Sequence, residues 1–87
     1  MILWDSEKDL WLIQYRQISF EEIADIILSK AYLDILEHPK RENQQIFVLE
    51  LRGYIYVVPF VVDKSGNIVL KTAFPSRKFQ KRYGGTS

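Results

Sequence analysis

The stretch from Gln45 to Phe74 constrains this chain most: three runs rich in β-branched and aromatic residues, cut by two turn signals. Such residues suit the pleated, half-buried surface of a sheet. The first run, Gln45 to Arg52, meets the second, Tyr54 to Val62, at Arg52-Gly53, which reads as a tight hairpin. The third, Ile68 to Phe74, follows a second hairpin loop, Asp63-Lys64-Ser65-Gly66-Asn67. Loops this short join antiparallel neighbours, so a meander is expected. Pro59 breaks the pattern: with no N–H to give, it needs an edge, a bulge or the end of the pairing.

Upstream, Ser19-Phe20-Glu21-Glu22 forms a capping box, in which Ser19 accepts from the N3 amide and Glu22 reaches back, with Ile18 as a hydrophobic staple. Phe20, Ile23, Ala24, Ile27, Leu28 and Ala31 then recur at helical spacing and predict one buried stripe. Before it, Asp5 or Ser6 caps a first helix ending near Arg16, with Glu7 and Asp9 in the first turn, where the helix dipole favours acids. Leu10, Ile13 and Trp11 are its expected apolar face, and Gln17-Ile18 is a short break. Tyr32 to Glu37 reads as a strand ended by His38-Pro39, and Lys40 to Gln44 as a polar loop. After Pro75-Ser76, Ser76 caps a short basic helix, Arg77 to Tyr83, ended by Gly84-Gly85, with Thr86-Ser87 frayed.

The order is therefore ααββββα. It implies an α+β fold: a four-stranded antiparallel meander with helices on one face, the other face staying partly wet or meeting a partner. Eighty-seven residues suit a single domain, 1–87, and 47% hydrophobic content supplies one core. The absence of cysteine excludes disulfides and thiolate chemistry. No apolar run approaches the roughly 18 residues of a membrane span. Met1-Ile2-Leu3-Trp4-Asp5 lacks the basic flank of a signal peptide, so a cytoplasmic location without membrane contact is expected.

A net charge of +1 conceals a segregation. Residues 1–37 hold eight acids and three bases, whereas residues 38–87 hold three acids and nine bases, none of the acids after Asp63. Such a basic half is the usual footprint of a polyanion site, although it can also be a solvated tail.

The inventory of reactive groups is short. His38 is the one histidine and could serve as general acid or base; the plainer reading is a loop histidine without a role. One histidine, no cysteine and scattered carboxylates give no metal-ligand spacing, so neither metal nor cofactor is expected. Glu21, Glu22 and Asp25 belong to the solvent face of the second helix. There is no Gly-x-Ser-x-Gly elbow and no glycine-rich phosphate loop. What remains is basic and aromatic. Lys71 should leave its strand opposite Leu70. Arg77 with Lys81, and Lys78 with Arg82, form two rows one helical turn apart, and Phe79 with Tyr83 forms a row that either packs or stacks. Cations interleaved with rings suit a single-stranded polynucleotide, guanidinium groups forking onto phosphates and rings stacking on bases. Metal-free RNA cleavage by 2′-OH attack agrees with this inventory without being required by it.

Two segments carry a family resemblance. Trp4-Asp5-x-x-Lys8 followed by Ile18-Ser19-Phe20-Glu21-Glu22, and Lys71-Thr72-Ala73-Phe74-Pro75-Ser76-Arg77-Lys78 followed by Lys81-Arg82-Tyr83, resemble the opening and ending of BrnT-like toxins. Tyr15-Arg16-Gln17 stands where that family has Lys-His-Gly, and Pro75-Ser76-Arg77 where it has Ser-Ala-Arg. The resemblance implies a RelE-like fold and a type II toxin that cleaves RNA, inhibits translation and is neutralised by a cognate antitoxin in an oligomeric complex. The substrate would be messenger RNA, free or on the ribosome. By position, Arg77 would bind the scissile phosphate, assisted by Lys71 and Arg16, with His38 as the proton-transfer group. Lys8, Lys78, Lys81, Arg82 and Tyr83 would contact the RNA. The rival reading is a non-catalytic protein- or RNA-binding module that blocks a target through its apolar strand Tyr54–Val58 and open sheet face.

Overall fold

The computed structural model describes residues 1–84. Gly85, Thr86 and Ser87, expected to end the last helix and fray, lie outside the described residues. The elements are β1 (Ile2–Leu3), α1 (Ser6–Arg16), α2 (Phe20–Leu28), β2 (Asp34–Glu37), β3 (Gln45–Leu51), β4 (Tyr54–Val62), β5 (Ile68–Leu70), β6 (Phe74–Pro75) and α3 (Arg77–Tyr83). Strands run in the order β1-β5-β4-β3-β2, and β6 also pairs with β4.

The central ladder is the predicted hairpin. Gln45 faces Phe60 at one end and Leu51 faces Tyr54 at the other, across a two-residue turn. Arg52 and Gly53 have φ of 52° and 79°, the two positive values that a type I′ turn requires. Arg52 also ties the turn to the helices, its guanidinium donating to the Gln17 carbonyl and to Glu22.

The meander is expected as four antiparallel strands; the sheet is mixed and six-stranded. β1 pairs in parallel with β5 through Ile2↔Ile68 and Leu3↔Val69, a strand too short to leave a pattern in sequence. The expected Ile68–Phe74 strand is divided in two, and Pro59 explains why. The Pro59 carbonyl accepts from the Lys71 N–H at 2.9 Å, so the backbone polar groups of residue 59 face β5. On that side Pro59 has no donor, and regular pairing stops. Phe60 still pairs with Leu70 and Val57 with Phe74. Val58-Pro59 is thus opposed by Lys71-Thr72-Ala73, a bulge of one extra residue.

Helices occupy both faces, not the expected one. On the first, Leu12 of α1 and Phe20, Ile23 and Ile27 of α2 pack on Phe47, Leu49, Val58, Phe60 and Leu70, with Phe47 and Phe60 stacked at 4.2 Å. On the other, Phe79 and Tyr83 of α3 pack with Phe74 on Ile46, Val48, Ile55 and Val57. Two hydrogen bonds fix α3 at the β4 edge: Ile55 N–H to Gln80 Oε1 at 2.8 Å, and Ser76 N–H to the Ile55 carbonyl at 3.0 Å.

The buried side of α1 also differs from expectation. Leu12 is fully buried, while Leu10 is 65% exposed, Ile13 45% and Trp11 38%. Polar contacts set this rotation. Asp9 accepts from the Phe20 N–H at 2.8 Å, and Arg16 donates to the Ala73 carbonyl. Residues 9, 12 and 16 share one helix face, so these bonds turn Leu12 inward. In α2 the capping box is half formed: Ser19 Oγ accepts from the Glu22 N–H at 3.2 Å, but the Glu22 carboxylate meets the Ser19 hydroxyl at 3.4 Å and Arg52 at 3.0 Å in place of the Ser19 backbone N–H. The helix stops at Leu28, itself exposed in the last turn, and Lys30 takes a left-handed φ of 58°, so Ala31 leaves the stripe and lies exposed.

Candidate nucleic-acid interface

The bulge and the β2–β3 loop together make a cleft on the α3 face. β2 ends at Glu37, and the next residue, His38, donates its N–H to the Gln44 carbonyl at 3.0 Å and closes the loop at its base. Across from it, residues 71–73 are released from regular pairing by Pro59. The space between, about 390 Å³, is lined by His38, Arg41, Gln44, Pro59, Lys71, Thr72 and Phe74. A smaller groove of about 180 Å³ shares His38 and Phe74 with it and continues to Ser76, Lys78 and Phe79. Lys71 lines this cleft, whereas its neighbour Leu70 is buried in the core on the other face of the sheet. Arg41, Lys71 and Lys78 therefore stand along one groove whose lining contains no carboxylate. Cations converging in a cleft focus a positive potential and favour a phosphate-bearing ligand.

His38 has a defined tautomer. The backbone N–H groups of Lys40 and Arg41 both donate to its Nδ1, each at 3.1 Å. A ring nitrogen that accepts carries no proton, so in the neutral ring the hydrogen sits on Nε2. The side chain is thereby a hydrogen-bond donor at Nε2.

The structure divides the remaining sequence candidates. Lys78 joins the groove, whereas its neighbour Arg77 is exposed and not among the lining residues. Lys81 and Arg82 are likewise exposed on α3, Arg82 lying 5.3 Å from the Tyr83 ring centre. Tyr83 docks α3: its hydroxyl donates to Asp34 Oδ2 at 2.8 Å. That bond, with partial burial, raises the phenol pKa above its ordinary value. Arg16 and Lys8 belong to α1 and do not line the cleft. Arg16 holds the Ala73 carbonyl and so braces the bulge from the other face, its Cζ 4.9 Å from the Trp11 ring centre; Lys8 Nζ lies 4.3 Å from the same ring. Arg41, Gln44 and Thr72 were not expected at the site. The only sequence signal for Arg41 is its place in a basic loop directly after His38-Pro39.

Among the described residues no group of three or more His, Cys, Asp or Glu side chains could hold a metal ion. None of the described helices is long and apolar enough to cross a membrane.

Two helices on one face of a mixed sheet and a short basic helix on the other make the α+β class that the order of elements implied, with a cationic cleft beside the last helix. A solved structure shares this fold: the ribonuclease toxin BrnT of Brucella abortus, with a TM-score of 0.64 and 18% sequence identity over 86% of this chain and 94% of that one. At that identity the likeness is one of fold. Neither protein-family profiles nor curated protein sequences give a match.

Proposed function

We propose that this chain, as a single domain, is the toxin of a type II toxin–antitoxin pair and a metal-independent endoribonuclease. One observation carries the reading. On a fold shared with a ribonuclease toxin, one acid-free cleft brings together the sole histidine, Arg41 and Lys71, with Lys78 in the adjoining groove. RNA supplies its own nucleophile. The 2′ oxygen attacks the adjacent phosphorus and the P–O5′ bond breaks, leaving a 2′,3′-cyclic phosphate and a 5′-hydroxyl. The proton of the 2′-OH passes to solvent, and the leaving oxygen gains one from solvent.

The cleft's share of the work is electrostatic. Lys71 and Arg41 hold the scissile phosphate and stabilise the charge that grows on it, and His38 Nε2–H donates to a non-bridging oxygen. Lys78 receives the next phosphate along the groove, while Arg77, Lys81 and Arg82 guide the strand from the exposed side of α3. A cognate antitoxin, bound in an oligomeric complex, would neutralise the protein by covering this basic face, and translation would fall as messenger RNA is cut.

The test is incubation of purified protein with single-stranded RNA in the presence of a chelator, followed by analysis of the product ends. Cyclic-phosphate ends are expected, absent when the scissile nucleotide is 2′-deoxy and greatly reduced in Lys71→Ala. RNA left intact by the wild-type protein across pH and salt would overturn the reading.

A further inference from the structure

The cleft leaves unexplained a second cluster, on α1. Trp11 is 38% exposed and Tyr15 63%, and their ring centres lie 5.4 Å apart. Core packing does not account for these rings, since Leu12 is the residue α1 buries. Two cations converge on the indole, Lys8 Nζ at 4.3 Å and Arg16 Cζ at 4.9 Å from its centre. Neither forms an ion pair among the described residues, where the one salt bridge joins Arg52 to Glu22. Arg16 commits a donor to the Ala73 carbonyl and keeps further N–H groups of its planar fork free.

Exposed rings flanked by uncompensated cations match what a nucleotide offers: a flat base to stack and a phosphate to neutralise. Position supports the same ligand. Arg16 holds the carbonyl of Ala73, and the residues on either side of Ala73, Thr72 and Phe74, line the His38 cleft. Cluster and cleft thus meet at one segment of the sheet edge. A strand leaving the cleft past residues 72–74 arrives at α1.

We propose that Lys8, Trp11, Tyr15 and Arg16 form a nucleotide subsite for single-stranded RNA. A base flanking the cleavage point stacks on Trp11 and Tyr15, and its phosphate is held by Lys8 and Arg16. The proposal rests on the ribonuclease reading for its ligand, but it concerns residues outside the cleft and can fail separately. Charge argues for RNA over a protein ligand: an apolar partner peptide would gain from the rings and would have to desolvate two cations.

Indole fluorescence tests it. A short single-stranded oligodeoxynucleotide, which lacks the 2′ nucleophile, should quench the full-length protein saturably, and less at high salt. The signal should survive in Trp4→Phe, which removes the other indole. Trp11→Ala or Tyr15→Ala should weaken oligonucleotide binding about tenfold, the size expected for one lost stacking contact, with Trp11→Phe retaining most of it. Wild-type protein that cleaves RNA but shows no quenching, and binds equally well without Trp11, overturns the subsite and leaves the ribonuclease reading in place. Quenching without cleavage does the reverse. A cluster that binds an acidic protein and no oligonucleotide would be a protein interface, and the proposal would be wrong.

Discussion

Lys71 donates its backbone N–H to the Pro59 carbonyl at 2.9 Å, and Pro59 has no N–H with which to reciprocate. This one-sided bond divides β5 from β6 and opens the wall of the cleft. Pro59→Val should restore the missing donor and let residues 71–73 join the ladder. Stability should move little, within about 1 kcal/mol: one hydrogen bond is gained while the unfolded chain gains freedom. Activity should suffer more: if Lys71 holds the phosphate as proposed, displacing it by about 1 Å costs on the order of 100-fold. Amide exchange at Lys71, Thr72 and Ala73 read beside RNA cleavage checks this. Slowed exchange with full activity would show that the bulge does not shape the site.

His38 combines two jobs that substitutions can separate. Its Nδ1 accepts from two loop amides, and its Nε2–H is the group we propose as the donor to the phosphate. Asparagine places an oxygen near the position of Nδ1 and nothing at Nε2. His38→Asn should therefore keep the loop and lose cleavage by about 100-fold or more, the usual effect of removing one donor from a developing oxyanion. His38→Ala should lose both, with a further destabilisation of about 0.5–1 kcal/mol, since the two exposed amides turn to water. Urea unfolding and initial cleavage rates of the two variants give the comparison. Nitrogen NMR of the wild-type ring should find the hydrogen on Nε2.

The Tyr83–Asp34 bond makes α3 sensitive to alkali. A phenol whose folded-state pKa is raised is bound best as the neutral form. Its contribution is complete below the ordinary tyrosine range and disappears as pH climbs through the raised value. Tyr83→Phe should lower Tm at neutral pH and shrink the loss that the wild-type protein shows in alkali. Tm measured against pH for both proteins tests the sign. A constant gap between the two curves, far into alkali, would mean that the hydroxyl's proton is not what secures α3.

Much of this arrangement is legible in the residues, and the rest fails for identifiable reasons. Arg52-Gly53 specifies its turn because few dipeptides accept two positive φ values. Ser19 and the stripe from Phe20 to Ile27 place α2, and Pro59 announces a break. α1 is different. Leu10, Trp11, Leu12 and Ile13 are consecutive apolar residues, so periodicity cannot select a face, and long-range bonds from Asp9 and Arg16 decide it. Adjacent residues on α3 point about 100° apart, so a run of bases cannot say whether Arg77 or Lys78 meets the groove. The tautomer of His38 is invisible in sequence because backbone amides set it.

The α1 orientation can be tested directly, since its two readings predict opposite outcomes. If Leu10 formed the apolar face, as its position suggests, truncating it would be costly and truncating Leu12 would not. The structure has Leu12 fully buried against Phe20 and the sheet, and Leu10 mostly in solvent. Leu12→Ala should cost about 2–5 kcal/mol, the loss of transfer energy plus the cavity left behind. Leu10→Ala should stay within about 0.5 kcal/mol, as exposed positions do. Chemical denaturation of both variants measures this, with an unchanged m-value showing that the unfolded state is not responsible. The same pair bears on the nucleotide subsite, because turning α1 to bury Leu10 would reposition Trp11 and Tyr15 relative to Arg16 and the Ala73 carbonyl. Destabilisation by Leu10→Ala equal to that by Leu12→Ala would therefore count against both the helix orientation and the platform built on it.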